Sequence, residues 1–309
     1  MKNYISNIKK SILYLKKDEC IGIPTETVYG LAANAYSDIA VLKVYTLKRR
    51  PKNNPLIVHY YDLNLLKKDC QIPKSFYRLY KRFCPGPLTF VLKIKKKSRI
   101  SKKIINKNNT LAVRFPKHPI ARKLLKKIPF PLAAPSANVS TSISPVTKKD
   151  VVEEFGSKIK YVLDGGRSKI GLESTIIDIT NKPKILRLGG LEIKSLRKIL
   201  NSNIYYKNND KIKYPGQSKL HYSPGIPIRM NVSKPKKSSA YLLINEKNYK
   251  NKNFFYLTKN NNLKEAGKNL YSILRKIKKR KFKLIEVEEI PNIGFGETIN
   301  DRLTRASLR

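Results

Sequence analysis

Lys48-Arg49-Arg50-Pro51-Lys52-Asn53-Asn54-Pro55-Leu56-Ile57-Val58-His59 is the stretch whose reading decides the fold. Three cations close a helix, Pro51 stops it, two asparagines carry a turn, and a short apolar run enters a buried strand. The same stretch fixes positive charge at a corner. Arg offers planar forks suited to phosphate or carboxylate, Lys a compact charge, and Pro51 and Pro55 stiffen the backbone between them. Taken alone, a solvated basic helix end that favours the helix dipole is the better account of the corner. The surrounding chain shifts the balance.

Upstream, Ile5, Ile8, Ile12 and Leu15 at helical spacing predict an amphipathic first helix. Cys20-Ile21-Gly22-Ile23 reads as a short strand that ends at Pro24, and Thr25 to Leu31 then places small hydroxyls just past its carboxyl end. Local turn chemistry is the competing account of those hydroxyls. Ser37-Asp38 starts the helix that runs to the Lys48 corner.

Downstream, strand Leu56–Tyr60 carries His59, a residue that could meet a substrate carboxylate or simply pack. Phe76, Leu79, Tyr80 and Phe83 form an aromatic stripe that reads as the core face of a helix. Leu88–Ile94 is a strand and Lys95–Asn109 a solvated basic loop. Arg114 sits in the apolar strand Thr110–Pro116, so it needs an anionic partner. With only 21 Asp and Glu in the chain, a ligand is the favoured partner over a protein carboxylate. Ile120, Leu124 and Ile128 mark a helix, and Leu132–Ala134 a strand that opens into the polar loop Pro135 to Pro145. Strands at Tyr161–Asp164, Ser174–Ile179 and Lys184–Leu188 and a helix near Ile193–Leu200 complete this part. Ser174 lacks a Gly-x-Ser-x-Gly elbow and a well-placed histidine base, which argues against acyl-enzyme chemistry.

Residues 201–227 change character and read as a linker with a rigid aromatic end around His221-Tyr222-Ser223-Pro224. Beyond it, strands at Ala240–Ile244, Phe254–Leu257 and Leu284–Val287 and helices at Leu263–Lys278 and Gly294–Arg305 predict a small α/β unit. The expected division is 1–200, a linker over 201–227, and 228–309. The chain has 309 residues with 66 Lys and Arg against 21 acids, a net charge of +45 that attracts nucleic acid, nucleotides or anionic lipid. Lysine is spread through nearly every segment, so charge alone is weak evidence for RNA binding. Cys20, Cys70 and Cys84 form no metal-binding ladder with the three histidines, so no metal site is expected and a reducing compartment fits. No segment approaches the length and apolarity of a membrane span, which leads to the expectation of a soluble, cytoplasmic protein.

Cations (Lys48, Arg50, Arg114, Arg187) and small polar groups (Thr25, Ser136, Asn138, Ser144, Ser174) thus fall at strand ends. No Walker A loop is present, so phosphates would be held by side-chain cations and loop amides. Such a site suits reactions at phosphorus, where positioning and charge stabilisation carry most of the rate.

Six ordered motifs resemble the YrdC-type threonylcarbamoyl-AMP synthase family: Pro24 to Leu31, Lys48 to His59, Pro85 to Thr89, Val113 to Pro119, Ala134 to Asn138, and Glu173 to Ile176. Pro215-Gly216, His221 to Pro224 and Asn300-Asp301-Arg302-Leu303 look like its longer, two-domain branch. The resemblance implies an α/β fold: a large YrdC-like domain with a twisted mixed sheet and a basic cavity, plus a small Rossmann-like C-terminal domain. It implies synthesis of L-threonylcarbamoyl-AMP and pyrophosphate from L-threonine, bicarbonate and ATP. The product would feed a separate tRNA threonylcarbamoyl transferase complex acting on the adenosine next to the anticodon. By similarity, Thr25, His59, Arg114, Ala134 and Ser174 line the threonine pocket. Lys48, Arg50, Asn54, Thr110, Ser136, Asn138, Ser144, Arg187 and Tyr222 fall at positions used around ATP. Lys48 and Arg50 are the expected catalytic cations, and Mg²⁺ would accompany the triphosphate. Gln217-Ser218-Lys219 and Arg49 depart from the family pattern. An RNA-binding, translation-associated protein without turnover is the rival reading. Carbamoyl-adenylate chemistry of the hydrogenase-maturation type is a second, opposed by the lack of zinc-finger cysteines. Whether the chain also touches tRNA itself is left open by the sequence.

Overall fold

The computed structural model describes residues 2–105, 108–201, 204, 221–246 and 251–308. Helix α1 (Lys2–Lys16) buries Ile8 and Leu15 beside strand β1 (Ile21–Ile23). Strand β2 (Gly30–Asn34) follows, and helix α2 (Asp38–Lys48) starts where the Ser37 hydroxyl accepts from the Ala40 amide. Arg49 ends that helix in the left-handed region at φ 49°, and β3 (Ile57–His59) leaves the corner as a buried strand. Then come α3 (Leu63–Asp69), capped by Asp62, α4 (Lys74–Phe83), β4 (Leu88–Lys93), β5 (Thr110–Arg114), α5 (Pro119–Lys126) and β6 (Leu132–Ala133). Helix α6 (Lys148–Phe155) opens on a capping box between Thr147 and Asp150, followed by β7 (Tyr161–Val162), β8 (Thr175–Asp178), β9 (Lys184–Arg187) and α7 (Ile193–Leu200). The remainder is β10 (Ile228–Arg229), β11 (Ala240–Asn245), β12 (Phe254–Thr258), α8 (Leu263–Lys279), β13 (Ile285–Val287) and α9 (Phe295–Ser307).

Nine strands form one mixed sheet in the order β7-β1-β2-β6-β3-β5-β4-β8-β9, and four parallel strands form a second in the order β10-β13-β11-β12. This is the two-part α/β architecture anticipated above. Side chains alternate across the large sheet. Val58, Phe90, Val113 and Ile177 join one apolar cluster with Val44 of α2, Phe76 of α4 and Leu196 of α7. Their neighbours Ile57, Val91, Ala112 and Ile176 point to the opposite face and form only a small cluster with Leu186. One face of the sheet is therefore sealed by helices, and the other is left for a site.

The smaller unit covers part of that second face. Val28, Ile143, Val146 and Leu172 of the large unit pack in one cluster with Leu270 and Leu274 of α8 and Ile299 and Leu303 of α9. Burying each such side chain stabilises the contact by about 1.5–3 kcal/mol, so the two units meet through a cohesive apolar interface.

Four elements were not anticipated. Strand β2 is Gly-Leu-Ala-Ala-Asn, without β-branched residues or alternation, and it forms because β1 and β6 pair with it on both sides. Helix α3 spans 7 residues, α6 spans 8, and β10 has 2. The Pro215-Gly216 and Gln217-Ser218-Lys219 readings lie outside the described residues. Among the described residues no helix is long and apolar enough to cross a membrane.

Candidate active site

A small hollow of about 40 Å³ lies against the open face of the large sheet, lined by Thr25, Thr27, Arg50, His59, Arg114, Ala134, Ser136, Glu173, Ser174, Arg187 and His221 among others. The site is thus laid along a sheet face. His59 pairs with Arg114 across β3 and β5, and Ile57, two residues earlier on β3, also lines the hollow. His59 is the last residue of β3, Arg114 of β5 and Arg187 of β9, and Ser174 stands immediately before β8, so strand ends deliver these groups to the hollow.

Three arginines enter the hollow, and each is held in the same way. Arg50 donates from Nε to the Asn54 carbonyl (2.9 Å) and from Nη2 to the Asn54 side chain and the Pro55 carbonyl (3.0 Å). Arg187 donates from Nε (3.0 Å) and Nη2 (2.9 Å) to the Ser174 carbonyl. Arg114 donates from Nε to the Gly86 carbonyl (3.3 Å) and from Nη2 to Glu26 Oε1 (2.8 Å). In all three the Nη1 nitrogen has no partner among the described residues. Three forks that line a common space therefore keep one nitrogen each uncommitted, a chemistry suited to carboxylate and phosphate oxygens. Burial lowers the pKa of Arg50 to about 10, with Arg187 adding to the effect, so it stays charged at neutral pH.

The Glu26 contact corrects the partner expected for Arg114. A protein carboxylate holds this cation, and its other oxygen accepts from the Lys117 amide at 3.0 Å. Glu26 was visible between two threonines in the sequence, but nothing local tied it to a strand 88 residues away.

Between the arginines sit small polar groups. Thr25 Oγ1 donates to the Val28 carbonyl at 2.6 Å and lies 2.8 Å from Thr27 Oγ1, so turn chemistry and cavity lining coincide in one residue. Ser174 Oγ lies 2.7 Å from Thr89 Oγ1 and 3.1 Å from Arg187 Nη2. A Cβ on Gly189 would stand 2.4 Å from the Glu173 carbonyl and the Ser174 backbone, so only glycine lets β9 exit this close. Burial first, and Arg114 second, push the His59 pKa well below its usual value, so the imidazole is neutral. Its Nδ1 and the Nδ1 of His221 are buried without a partner among the described residues. Buried polar atoms are normally satisfied, and two orphans on one hollow mark a place where a ligand belongs.

Several expected site residues stand behind the wall. Lys48 is fully buried, and its ammonium donates to the carbonyls of Ser136 (2.6 Å) and Asn138, so it pins the Ala134–Asn138 loop instead of reaching the hollow. Burial and the nearby Arg50 depress its pKa well below the usual lysine value. Asn54 holds Arg50. Asn138 ties its own loop through Val139 and Ser142. Ser144 donates to Glu173 Oε1 at 2.6 Å. Thr110 begins β5, four residues before Arg114, and does not line the hollow. Tyr222 is buried beside it, stacked on Tyr271 with ring centroids 5.9 Å apart.

The sequence reading also missed Glu173 as an organising group. Its carboxylate accepts from Ser144, from Tyr271 (2.9 Å to each oxygen) and from Arg302 (2.8 Å). Burial alone would raise its pKa, but Arg302 and Arg187 outweigh that and hold it at about 2.

Comparison with known proteins now decides the family. A profile described as telomere recombination, covering the Sua5, YciO and YrdC proteins, matches residues 13–189. A second, described as the C-terminal domain of threonylcarbamoyl-AMP synthase, matches residues 191–307. The chain is 35% identical to the threonylcarbamoyl-AMP synthase of Pyrococcus abyssi, over 95% of this chain and 92% of that one. The chain belongs to the threonylcarbamoyl-AMP synthase family. The Bacillus subtilis synthase is 32% identical over 97% of this chain and 92% of its own length. The crystal structure of P. abyssi Sua5 complexed with L-threonine superposes with a TM-score of 0.88 at 34% identity, covering 97% of this chain and 94% of that one. Escherichia coli YciO, 23% identical with a TM-score of 0.56, shares the fold of 60% of this chain. The two-domain branch of the synthase family is thus matched along both units.

Proposed function

We propose that this chain condenses L-threonine, bicarbonate and ATP into L-threonylcarbamoyl-AMP with release of pyrophosphate. The observation that carries the reading is the convergence of three pinned arginines, a neutral His59 and the hydroxyls of Thr25 and Ser174 on one hollow. The synthase names of relatives that match nearly the whole chain support it, and they favour an enzyme over an RNA-binding protein without turnover.

In this proposal the threonine amine and bicarbonate form a carbamate with loss of water. A carbamate oxygen then attacks the α-phosphorus while the bond to the pyrophosphate oxygen breaks. Arg114, fixed by Glu26, offers Nη1 to the threonine carboxylate. Thr25, Ser174 and the Ala134 wall surround the amino-acid side chain, and neutral His59 supplies a polar contact without a competing charge. Arg50 and Arg187 neutralise the charge that develops on the phosphates, with Ser136 between them. Lys48 acts at one remove, by holding the carbonyls of the loop that carries Ser136.

Magnesium belongs to the proposal as the counter-ion of the triphosphate. Among the described residues no group of three or more His, Cys, Asp and Glu could hold a metal ion. Glu173, which lines the hollow, and Glu26, which holds Arg114 from outside it, are each bound by arginine. The donor set therefore fits an ion carried by phosphate oxygens and water, and not one seated in a protein cage.

Size sets a further condition. A hollow of about 40 Å³ is far below the roughly 300–1,000 Å³ of a ligand pocket. His221 forms part of its wall, with its amide donating to the Arg305 carbonyl at 3.1 Å, and ATP would have to displace this segment outward. The product adenylate would then pass to a tRNA threonylcarbamoyl transferase complex, in the cytoplasm.

Incubating the protein with ATP, Mg²⁺, isotopically labelled bicarbonate and single amino acids, and weighing the adenylate formed, tests the reading. A labelled threonylcarbamoyl-AMP that appears only with threonine is the expected product. No labelled adenylate, together with RNA affinity that falls steeply with salt, would favour the RNA-binding alternative.

A further inference from the structure

We propose that the second unit positions the adenylating cavity, with Arg302 and Tyr271 as positioning residues that act through Glu173; this deepens the synthase reading and rests on it. Arg302, on α9, is 1% exposed. Its Nε donates to Glu173 Oε2 at 2.8 Å, and its Nη2 donates to the Leu188 carbonyl at 2.6 Å. Glu173 precedes Ser174 and Leu188 follows Arg187, and both Ser174 and Arg187 line the hollow. One guanidinium therefore clamps the chain beside two cavity residues, Ser174 just before β8 and Arg187 at the end of the neighbouring β9. It also stands 4.6 Å from the centre of the Tyr222 ring, so the segment that carries His221 rests on the same group.

Tyr271, on α8, completes the clamp. Its hydroxyl is 2.9 Å from both Glu173 oxygens, and Ser144 Oγ adds a contact of 2.6 Å to Oε1. A carboxylate held by three side chains from three separate segments cannot turn. Stability alone gives a poor account of this design, because apolar residues of similar volume commonly stabilise a core as well as a buried ion pair does. What an ion pair adds here is direction. Fixed, Glu173 keeps the Ser174 carbonyl where Arg187 grips it through Nε and Nη2, which leaves Nη1 of this cavity-lining residue without a partner among the described residues.

The test uses the full chain carrying Tyr271→Phe, Arg302→Lys or Arg302→Met, each measured for melting temperature and for kcat and KM with threonine and ATP, per folded molecule. Tyr271→Phe keeps the ring and removes one hydroxyl, so it is the variant that folds most readily. It is expected to lower kcat/KM at least about fivefold, since it withdraws a hydrogen bond to a charged group. Arg302→Met is expected to lose more, with Arg302→Lys between it and the parent. On a Glu173→Gln background the Tyr271→Phe loss should shrink, because the two act as one unit. Parental kcat/KM in folded Tyr271→Phe and Arg302→Lys, with only the melting temperature lowered, would reduce the network to a structural one and overturn the proposal. A parent protein that makes no threonine-dependent adenylate would sink the underlying reading first, and this proposal with it.

Discussion

Replacing Arg114 with methionine is expected to cut threonine-dependent pyrophosphate release by at least about thirtyfold, mainly through a higher KM for threonine. Removing one partner from a buried, hydrogen-bonded charge pair costs about 2–5 kcal/mol, and each 1.4 kcal/mol is tenfold. The same change strands Glu26, which is 6% exposed and would keep only the Lys117 amide. Arg114→Met alone should therefore lower stability as well, by about 3–5 kcal/mol. Pairing it with Glu26→Gln separates the two effects, because the amide carries no charge to leave uncompensated. The double variant should regain much of the lost stability and none of the threonine dependence. Full activity in the folded double variant would show that Arg114 does not hold the amino acid.

Arg50→Met is expected to have the second-largest effect, at least about thirtyfold on kcat/KM for ATP with little change in the threonine KM. Its guanidinium remains charged at pH 7, since burial brings its pKa down only to about 10. The side chain is locked by Asn54 and Pro55, so its charge is already in place when phosphate arrives. Arg50→Lys should recover only part of the rate, because an ammonium can replace the charge but not the fork that grips Asn54 while still presenting Nη1. Steady-state kinetics with ATP varied at saturating threonine reads this directly. Equal losses in both KM values would mean that Arg50 shapes the whole hollow instead of serving the nucleotide.

What could be read from the sequence was whatever a short window contains. The corner at Lys48 to His59 announced a helix, a turn and a buried strand, and α2 and β3 lie there. The aromatic stripe at Phe76 to Phe83 announced α4 by its period. Strand β2 was invisible because Gly30-Leu31-Ala32-Ala33-Asn34 has no intrinsic preference for extension, and its neighbours β1 and β6 create it. The same division runs through the site. Arg50, Arg114, Ser136, Ser174 and Arg187 could be singled out because cations and hydroxyls are conspicuous in or near apolar strands, and the structure does bring them to one hollow. Lys48 looked equivalent to Arg50 in sequence, yet the end of α2 turns one toward loop carbonyls and the other toward the cavity. Partners were the hardest to foresee. Glu26 meets Arg114 across 88 positions and Glu173 meets Arg302 across 129, and no local pattern records contacts that only the sheet order and the docking of the second unit create.

The central claim is that one hollow receives both the amino acid and the triphosphate. A crystal structure of the protein with L-threonine and a non-hydrolysable ATP analogue tests it most directly. The account predicts the threonine carboxylate at Arg114 Nη1, phosphates at Arg50 and Arg187, and His221 moved out of the wall. Threonine and nucleotide bound at separate places, or either one outside the space between Arg50, Arg114 and Arg187, would contradict it.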